Sequence, residues 1–218
     1  MPILSYILTA LGAYLLGSIP TGFLVAKAKG IDIRKTGSGN IGATNAMRVL
    51  GKPAGIFVLL ADAAKGYAAC WVGIYIYANF SPSAGGLSAM FDQMNNCVII
   101  AGICAVLGHN YTCWLKFKGG KGIATTAGVY LALAPWALLV ALAVFILAIL
   151  LTRYVSVGSI AGAIALPATV WVMTPHNLFL GIVTTALGAL AIYKHKSNIQ
   201  RLLAGTENRL GKKVEATE

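Results

Sequence analysis

The chain is short of charge, and shorter still of acid. Only 11% of its 218 residues are charged, and Asp and Glu together number 6 against 17 Lys and Arg. A soluble domain carries about 25% charged residues, so this composition excludes an ordinary soluble fold. Before residue 194 the basic loops hold a single acid, Asp32. A carboxylate general base is therefore scarce, and neither a Ser-His-Asp set nor a metal-ligand set is visible. The four cysteines (Cys70, Cys97, Cys104 and Cys113) form no CxxC and no metal-type spacing with the three histidines. They read as small core hydrophobes, and neither metal nor cofactor is expected. The first apolar run starts at Ile3 without a basic n-region or a small-residue cleavage site, so it reads as a retained helix.

What is present is hydrophobic sequence, 58% of the chain. Runs of about twenty apolar residues recur, each long enough to span a bilayer core of about 30 Å. The fold class expected is all-α: a single polytopic transmembrane helical bundle over 1–218, with a flexible tail from about 204. Seven crossings fit, over Ile3–Ala28, Ala54–Tyr77, Asn96–Leu115, Gly122–Ala134, Pro135–Thr152, Val155–Met173 and Leu178–Tyr193.

The basic residues sort between the connections. Six lie in 27–52, three in 116–121, one is Arg153 and six lie in 194–213, whereas 78–95 and 174–177 hold none. The positive-inside rule then places the first set in the cytoplasm, the N-terminus outside and the C-terminus inside. It also requires a break at Pro135, because one crossing over 125–151 would put Arg153 and the basic C-terminus outside. Proline removes a donor and disfavours helix at the residue before it. The resulting fourth helix is short, about 13 residues or roughly 20 Å. Gly12, Gly17, Ser18, Gly158, Gly162 and Ala163 read as small residues that let helices approach.

Three polar constellations carry candidate chemistry. Residues 36–48 form a loop rich in glycine and hydroxyls with no acid in it, flanked by Lys27, Lys29, Arg34, Lys35 and Lys52. Gly37, Gly39 and Gly42 allow backbone N–H groups to converge on an anion. Ser38, Asn40, Thr44 and Asn45 add neutral donors, and Arg48 can grip a phosphate bidentately. The second constellation is Gly108-His109-Asn110 followed by Gly119-Gly120-Lys121-Gly122 at a helix mouth, where free N–H groups and the positive dipole end favour an anion. It is not a Walker A loop, which needs Gly at 115 and Ser or Thr at 122; Leu115 and Gly122 stand there. The third is His195 and Asn198, three apart and on one face if the last helix continues. Asp62 and Lys65 lie inside the second span, either as a structural ion pair or as functional groups.

These blocks resemble the PlsY-type family of acyl-phosphate-dependent glycerol-3-phosphate acyltransferases of bacterial membranes. The matching segments are Asp32-Ile33-Arg34 with 37–45, Asp62-Ala63-Ala64-Lys65-Gly66, Leu107-Gly108-His109 with 117–125, Arg153-Tyr154-Val155-Ser156, and Tyr193-Lys194-His195 with Asn198-Ile199 and Arg201-Leu202. The resemblance implies acyl transfer from a long-chain acyl phosphate to the sn-1 hydroxyl of glycerol 3-phosphate at the cytoplasmic face of the inner membrane. Ser38, Arg48, Lys121 and Asn198 would hold glycerol 3-phosphate, with His195 beside the acceptor. The loop glycines, Thr44 and Asn45 would hold acyl phosphate. The connection Asn79–Asn95 looks longer than the family needs. Acyltransferases using acyl-CoA or acyl carrier protein carry His-x4-Asp, but Trp114, Gly181 and Gln200 stand five residues after the three histidines. The rival reading is a transporter or binder of a phosphorylated anion. A transporter places its site near the midplane, often with broken helices in paired repeats, whereas here no two-fold repeat is evident and the polar groups sort to one side. Nucleic acid is not an expected partner, since the charge is spread over topology-determining loops.

Overall fold

The computed structural model describes residues 2–81 and 87–210. Among them there is no strand, and ten α-helices follow one another: α1 (Pro2–Ser18), α2 (Thr21–Lys27), α3 (Ala43–Leu50), α4 (Lys52–Phe80), α5 (Leu87–Asn110), α6 (Ile123–Leu133), α7 (Pro135–Thr152), α8 (Val155–Met173), α9 (Leu178–Lys194) and α10 (Lys196–Leu203). They form two compact units, Met1–Leu133 and Ala134–Glu218. Five stretches are long and apolar enough to cross a membrane: Ile3–Lys27, Lys52–Phe80, Met90–Leu115, Pro135–Thr152 and Val155–Met173. The bent pair α9 and α10 makes a sixth if it counts as one span. This is a multi-pass membrane protein.

Several expected boundaries move. The first span is not one helix; it breaks at Ile19–Pro20 because Pro20 has no N–H to continue the ladder. Side chains from elsewhere satisfy the carbonyls left over. Thr112 Oγ1 donates to Ser18 O at 2.6 Å, and Lys65 Nζ donates to Ile19 O at 2.8 Å. The connection expected over 79–95 is mostly helix, since α4 runs to Phe80 and α5 starts at Leu87; only 82–86 lie outside the described residues. The break before Pro135 stands as expected. It leaves α6 with 11 residues, about 16 Å at 1.5 Å per residue.

In the first unit helices meet at glycines. A side chain at Gly66 would strike the backbone of Thr125, and one at Gly128 that of Ala63, so α4 and α6 touch backbone to backbone. Gly17 and Ala105 join α1 to α5 in the same way. In lipid such close contact supplies the packing energy that hydrophobic burial cannot. In the second unit Gly158 packs on Phe145 and Ile149 across α7 and α8, while Gly12 in the first unit and Gly162 in the second leave ordinary van der Waals room.

Candidate active site

The loop between α2 and α3 is packed, not loose. Ile33 and Ile41 are buried with Ala26, Ala46, Val58 and Leu115 in one apolar cluster, which anchors the loop at both ends. Between those anchors Gly37 and Gly39 take φ of +63° and +71°, the left-handed region that only glycine enters at low cost. Asn45 braces the interior. Its amide nitrogen donates to the carbonyls of Ile33, Thr36 and Asn40 at 3.3, 3.0 and 2.8 Å. Its amide oxygen accepts from the Ser38 N–H at 2.8 Å and from Arg48 at 3.4 Å. Asn45 was expected among the ligand donors; at 2% exposure and with both polar atoms engaged, it shapes the loop instead. Asn40 closes a turn by accepting the Gly42 N–H at 2.7 Å.

Gly42 caps α3 in extended conformation, and the first bonds back to it come from Asn45 and Ala46. The N–H groups of Ala43 and Thr44, ahead of those bonds, have no partner within the helix. Ser38 and Thr44 are exposed beside them, and Arg48 is half-buried in the last turn of α3. On the flank, Arg34 binds both oxygens of Asp32 at 2.9 and 2.8 Å. This hydrogen bonding, against slight desolvation, holds the Asp32 carboxyl down to about 2, so the loop's one acid stays ionised and matched by its own cation.

The second glycine turn sits directly on the end of α5. Gly119 N–H donates to Asn110 O at 3.2 Å and Gly120 N–H to His109 O at 3.0 Å. Both amides were expected to face an anion; the structure commits them to α5. Glycine is required because a side chain at 119 would meet the His109 carbonyl, and one at 120 the His109 ring. His109 itself, expected as a ligand, is 5% exposed and stands with Nδ1 3.6 Å from Asp62 Oδ1. Gly122 takes φ +82° and opens α6, while Lys121 is half-buried beside it. Leu115, from the turn just upstream, packs in the cluster that anchors the first loop, so both glycine loops belong to one end of the first unit.

In the second unit the last long helix does not continue through His195. It stops there and restarts as α10 at 51°. His195 N–H bonds back to Ala191 and Ile192, and its carbonyl accepts from Asn198 and Ile199, so one residue ends one helix and starts the next. The residue is 3% exposed, and Nδ1 lies 2.7 Å from Ala191 O. A carbonyl only accepts, so Nδ1 carries hydrogen, and Nε2 is the acceptor nitrogen of the neutral ring.

Glu207 escaped the sequence reading because it lies in the stretch expected to be a flexible tail. Its Oε1 accepts from Ser156 Oγ at 2.9 Å and Asn198 Nδ2 at 2.6 Å, and its Oε2 from Arg201 Nε at 2.7 Å. Burial works to raise its pKa, but bonds from Asn198, Arg201 and Ser156 prevail and hold it below the ordinary carboxylate range. Arg209 stacks on Tyr154, and Leu210 N–H donates to Arg153 O at 2.7 Å. The tail is thus tied to α8 as far as Leu210; residues 211–218 lie outside the described residues. The signal available in the sequence was one acid among six basic residues, placed nine residues after Asn198.

Residues 7–205 match the family described as glycerol-3-phosphate acyltransferase. The chain belongs to this family. Glycerol-3-phosphate acyltransferases of Geotalea daltonii and Geobacter sulfurreducens are 43% and 46% identical to it, over 94% and 93% of this chain and 97% and 96% of theirs. A crystal structure of PlsY (YgiH), an integral membrane glycerol 3-phosphate acyltransferase in its glycerol 3-phosphate form, superposes with a TM-score of 0.81 at 38% identity. It covers 95% of this chain and 96% of its own. Ser38, Arg48, Lys121, His195 and Asn198 all lie inside the stretch that matches the family, and Glu207 lies just beyond it.

Proposed function

We propose that this protein transfers an acyl group from a long-chain acyl phosphate to the sn-1 hydroxyl of glycerol 3-phosphate. The products are lysophosphatidate and inorganic phosphate, the start of phospholipid synthesis. One observation supports this reading most: an acid-poor glycine loop, held rigid by Asn45 at the N-terminus of α3 with Arg48 alongside, in a member of this acyltransferase family.

Ser38, Arg48 and Lys121 of the first unit hold glycerol 3-phosphate; the family resemblance implies a further ligand role for Asn198 and a role at the acceptor for His195. The turn at Gly37, Gly39, Asn40, Gly42 and Thr44 receives the acyl phosphate, shaped from within by Asn45. Gly119, Gly120 and Gly122 serve to present Lys121. The sn-1 oxygen attacks the acyl carbonyl carbon; the ester C–O bond forms, the bond from that carbon to the bridging oxygen breaks, and phosphate departs with the bridging oxygen and the electron pair. The hydroxyl proton passes to a substrate phosphate, which titrates near pH 6 and so is basic enough at neutral pH. The protein contributes positioning and cationic stabilisation of the charge that builds on the departing phosphate.

The chain crosses the bacterial inner membrane seven times, N-terminus outside and C-terminus inside, with both glycine loops in the cytoplasm. The short α6 is the seventh crossing, over a locally thinned bilayer or as a partly re-entrant element. Purified protein is assayed with glycerol 3-phosphate and, separately, acyl phosphate, acyl-CoA and acyl carrier protein. Acyl phosphate alone is expected to release phosphate and form lysophosphatidate without added metal; turnover with acyl-CoA alone overturns the donor. Arg48→Ala and Lys121→Ala each lower kcat/KM at least tenfold, about 1.4 kcal/mol, and unchanged kinetics in both remove them from the site.

A further inference from the structure

The most deeply buried charges of the first unit have no part in the reaction just described. Asp62 and Lys65, one turn apart on α4, are 2% and 6% exposed. Burying two charges costs several kcal/mol each, and well-packed apolar residues often do as well. The pair therefore needs a reason beyond stability, and its contacts supply one.

Lys65 Nζ lies 2.8 Å from Asp62 Oδ1 and also donates to Ile19 O at the break after α1. Thr21 Oγ1, at the start of α2, donates to the same Asp62 oxygen at 3.2 Å. His109 Nδ1, at the end of α5, stands 3.6 Å from it. The pair thus joins α1, α2, α4 and α5 at one point. Two of these elements lead straight to the glycine loops. The α2 helix feeds the 28–42 loop. The His109 ring lies against Gly120, whose N–H is bonded to the His109 carbonyl. Lys121 is the next residue.

We propose that Asp62 and Lys65 are positioning residues for substrate. Asp62 fixes the His109 ring, and the ring fixes the Gly119–Gly122 turn that carries Lys121, so that the pair sets the affinity for glycerol 3-phosphate. This rests on the reading of Lys121 as a phosphate ligand. A bare brace for the α1–α2 break would govern folding and leave affinity untouched.

Steady-state kinetics in glycerol 3-phosphate at saturating acyl phosphate separate the two, with Tm read in the same detergent. Asp62→Asn keeps the size and an oxygen for Thr21 while removing the charge. The double variant Asp62→Asn/Lys65→Met leaves no unmatched buried charge and serves where the single variant does not fold. The expected result for the folded variant is a KM for glycerol 3-phosphate raised at least tenfold, with kcat within threefold of the parent. His109→Phe raises KM in the same way. Adding Asp62→Asn to Lys121→Ala raises KM less than twofold further, because both changes loosen the same grip; calorimetric titration with glycerol 3-phosphate replaces KM where turnover is too slow. An unchanged KM in the double variant, with activity falling only as the folded fraction falls, overturns the proposal. So do effects of Asp62→Asn and Lys121→Ala that multiply. If Lys121→Ala alone leaves KM unchanged, it is the reading of Lys121 that has failed.

Discussion

Asn45 braces the first glycine loop with every polar atom of its side chain. Replacing it by Ala takes the donor from Asn40 O and the acceptor from the Ser38 N–H, while Ile33 O and Thr36 O keep backbone donors, at roughly 1–3 kcal/mol for each group left unsatisfied. Asn45→Ala is therefore expected to lower stability by about 3 kcal/mol and to abolish most turnover, whereas Thr44→Ala, on the exposed face, leaves Tm unchanged; thermal melts and the acyl phosphate assay check both. At Gly120 a single methyl meets the His109 ring. Glu207 sets a pH dependence. Its pKa is lowered on folding, so the stability it lends is present above the ordinary value of about 4.3 and is lost as pH falls through the lower native value. A melt series below pH 5 should show that loss in the parent and not in Glu207→Gln. None of these roles was legible in the chain. Asn45 looks like any loop donor until its amide is seen turned inward, and Glu207 looks like tail until Ser156, Asn198 and Arg201 are seen around it.

At the scale of elements, proline and glycine decide where helices break and where they touch. Pro135 starts α7 as its position in the sequence implied, because no donor exists there to continue α6. Pro20 does the same after Ile19, yet that break was hidden inside an unbroken apolar run. What stabilises it, Thr112 and Lys65, comes from distant segments. The small residues were visible, but their rank was not. Gly128 faces the Ala63 backbone, while a side-chain carbon added at Gly162 would stay 3.4 Å or more from its neighbours. Gly128→Ala is expected to cost about 1–3 kcal/mol by overpacking and Gly162→Ala to be near neutral; detergent melts of the two variants test the difference.

For the whole molecule, the bias of Lys and Arg toward cytoplasmic loops is the basis for expecting the basic connections on one side. Labelling of single cysteines at Asn177 and Glu218 from each face tests the topology: 177 is expected outside and 218 inside, and labelling of both from one face refutes it. The lengths of the apolar helices were poorly legible. The α4 helix runs 29 residues and α6 only 11, because packing between helices tolerates what a hydropathy window does not.

Composition, the alternation of apolar runs with basic loops, and the glycine loops with their charge determined by themselves that this is a helical membrane protein with loops suited to phosphate; the acyltransferase family came from the resemblance of its motif blocks. Those properties follow from solvation and local backbone freedom, which each segment carries along the chain. Tertiary structure alone decided that Asn45 and His109 face inward, that the Gly119 and Gly120 amides belong to α5, and that Asp62 and Lys65 meet the end of α1. A hydrogen bond between residues forty or more positions apart leaves no mark on either until the fold has brought them within 3 Å of each other.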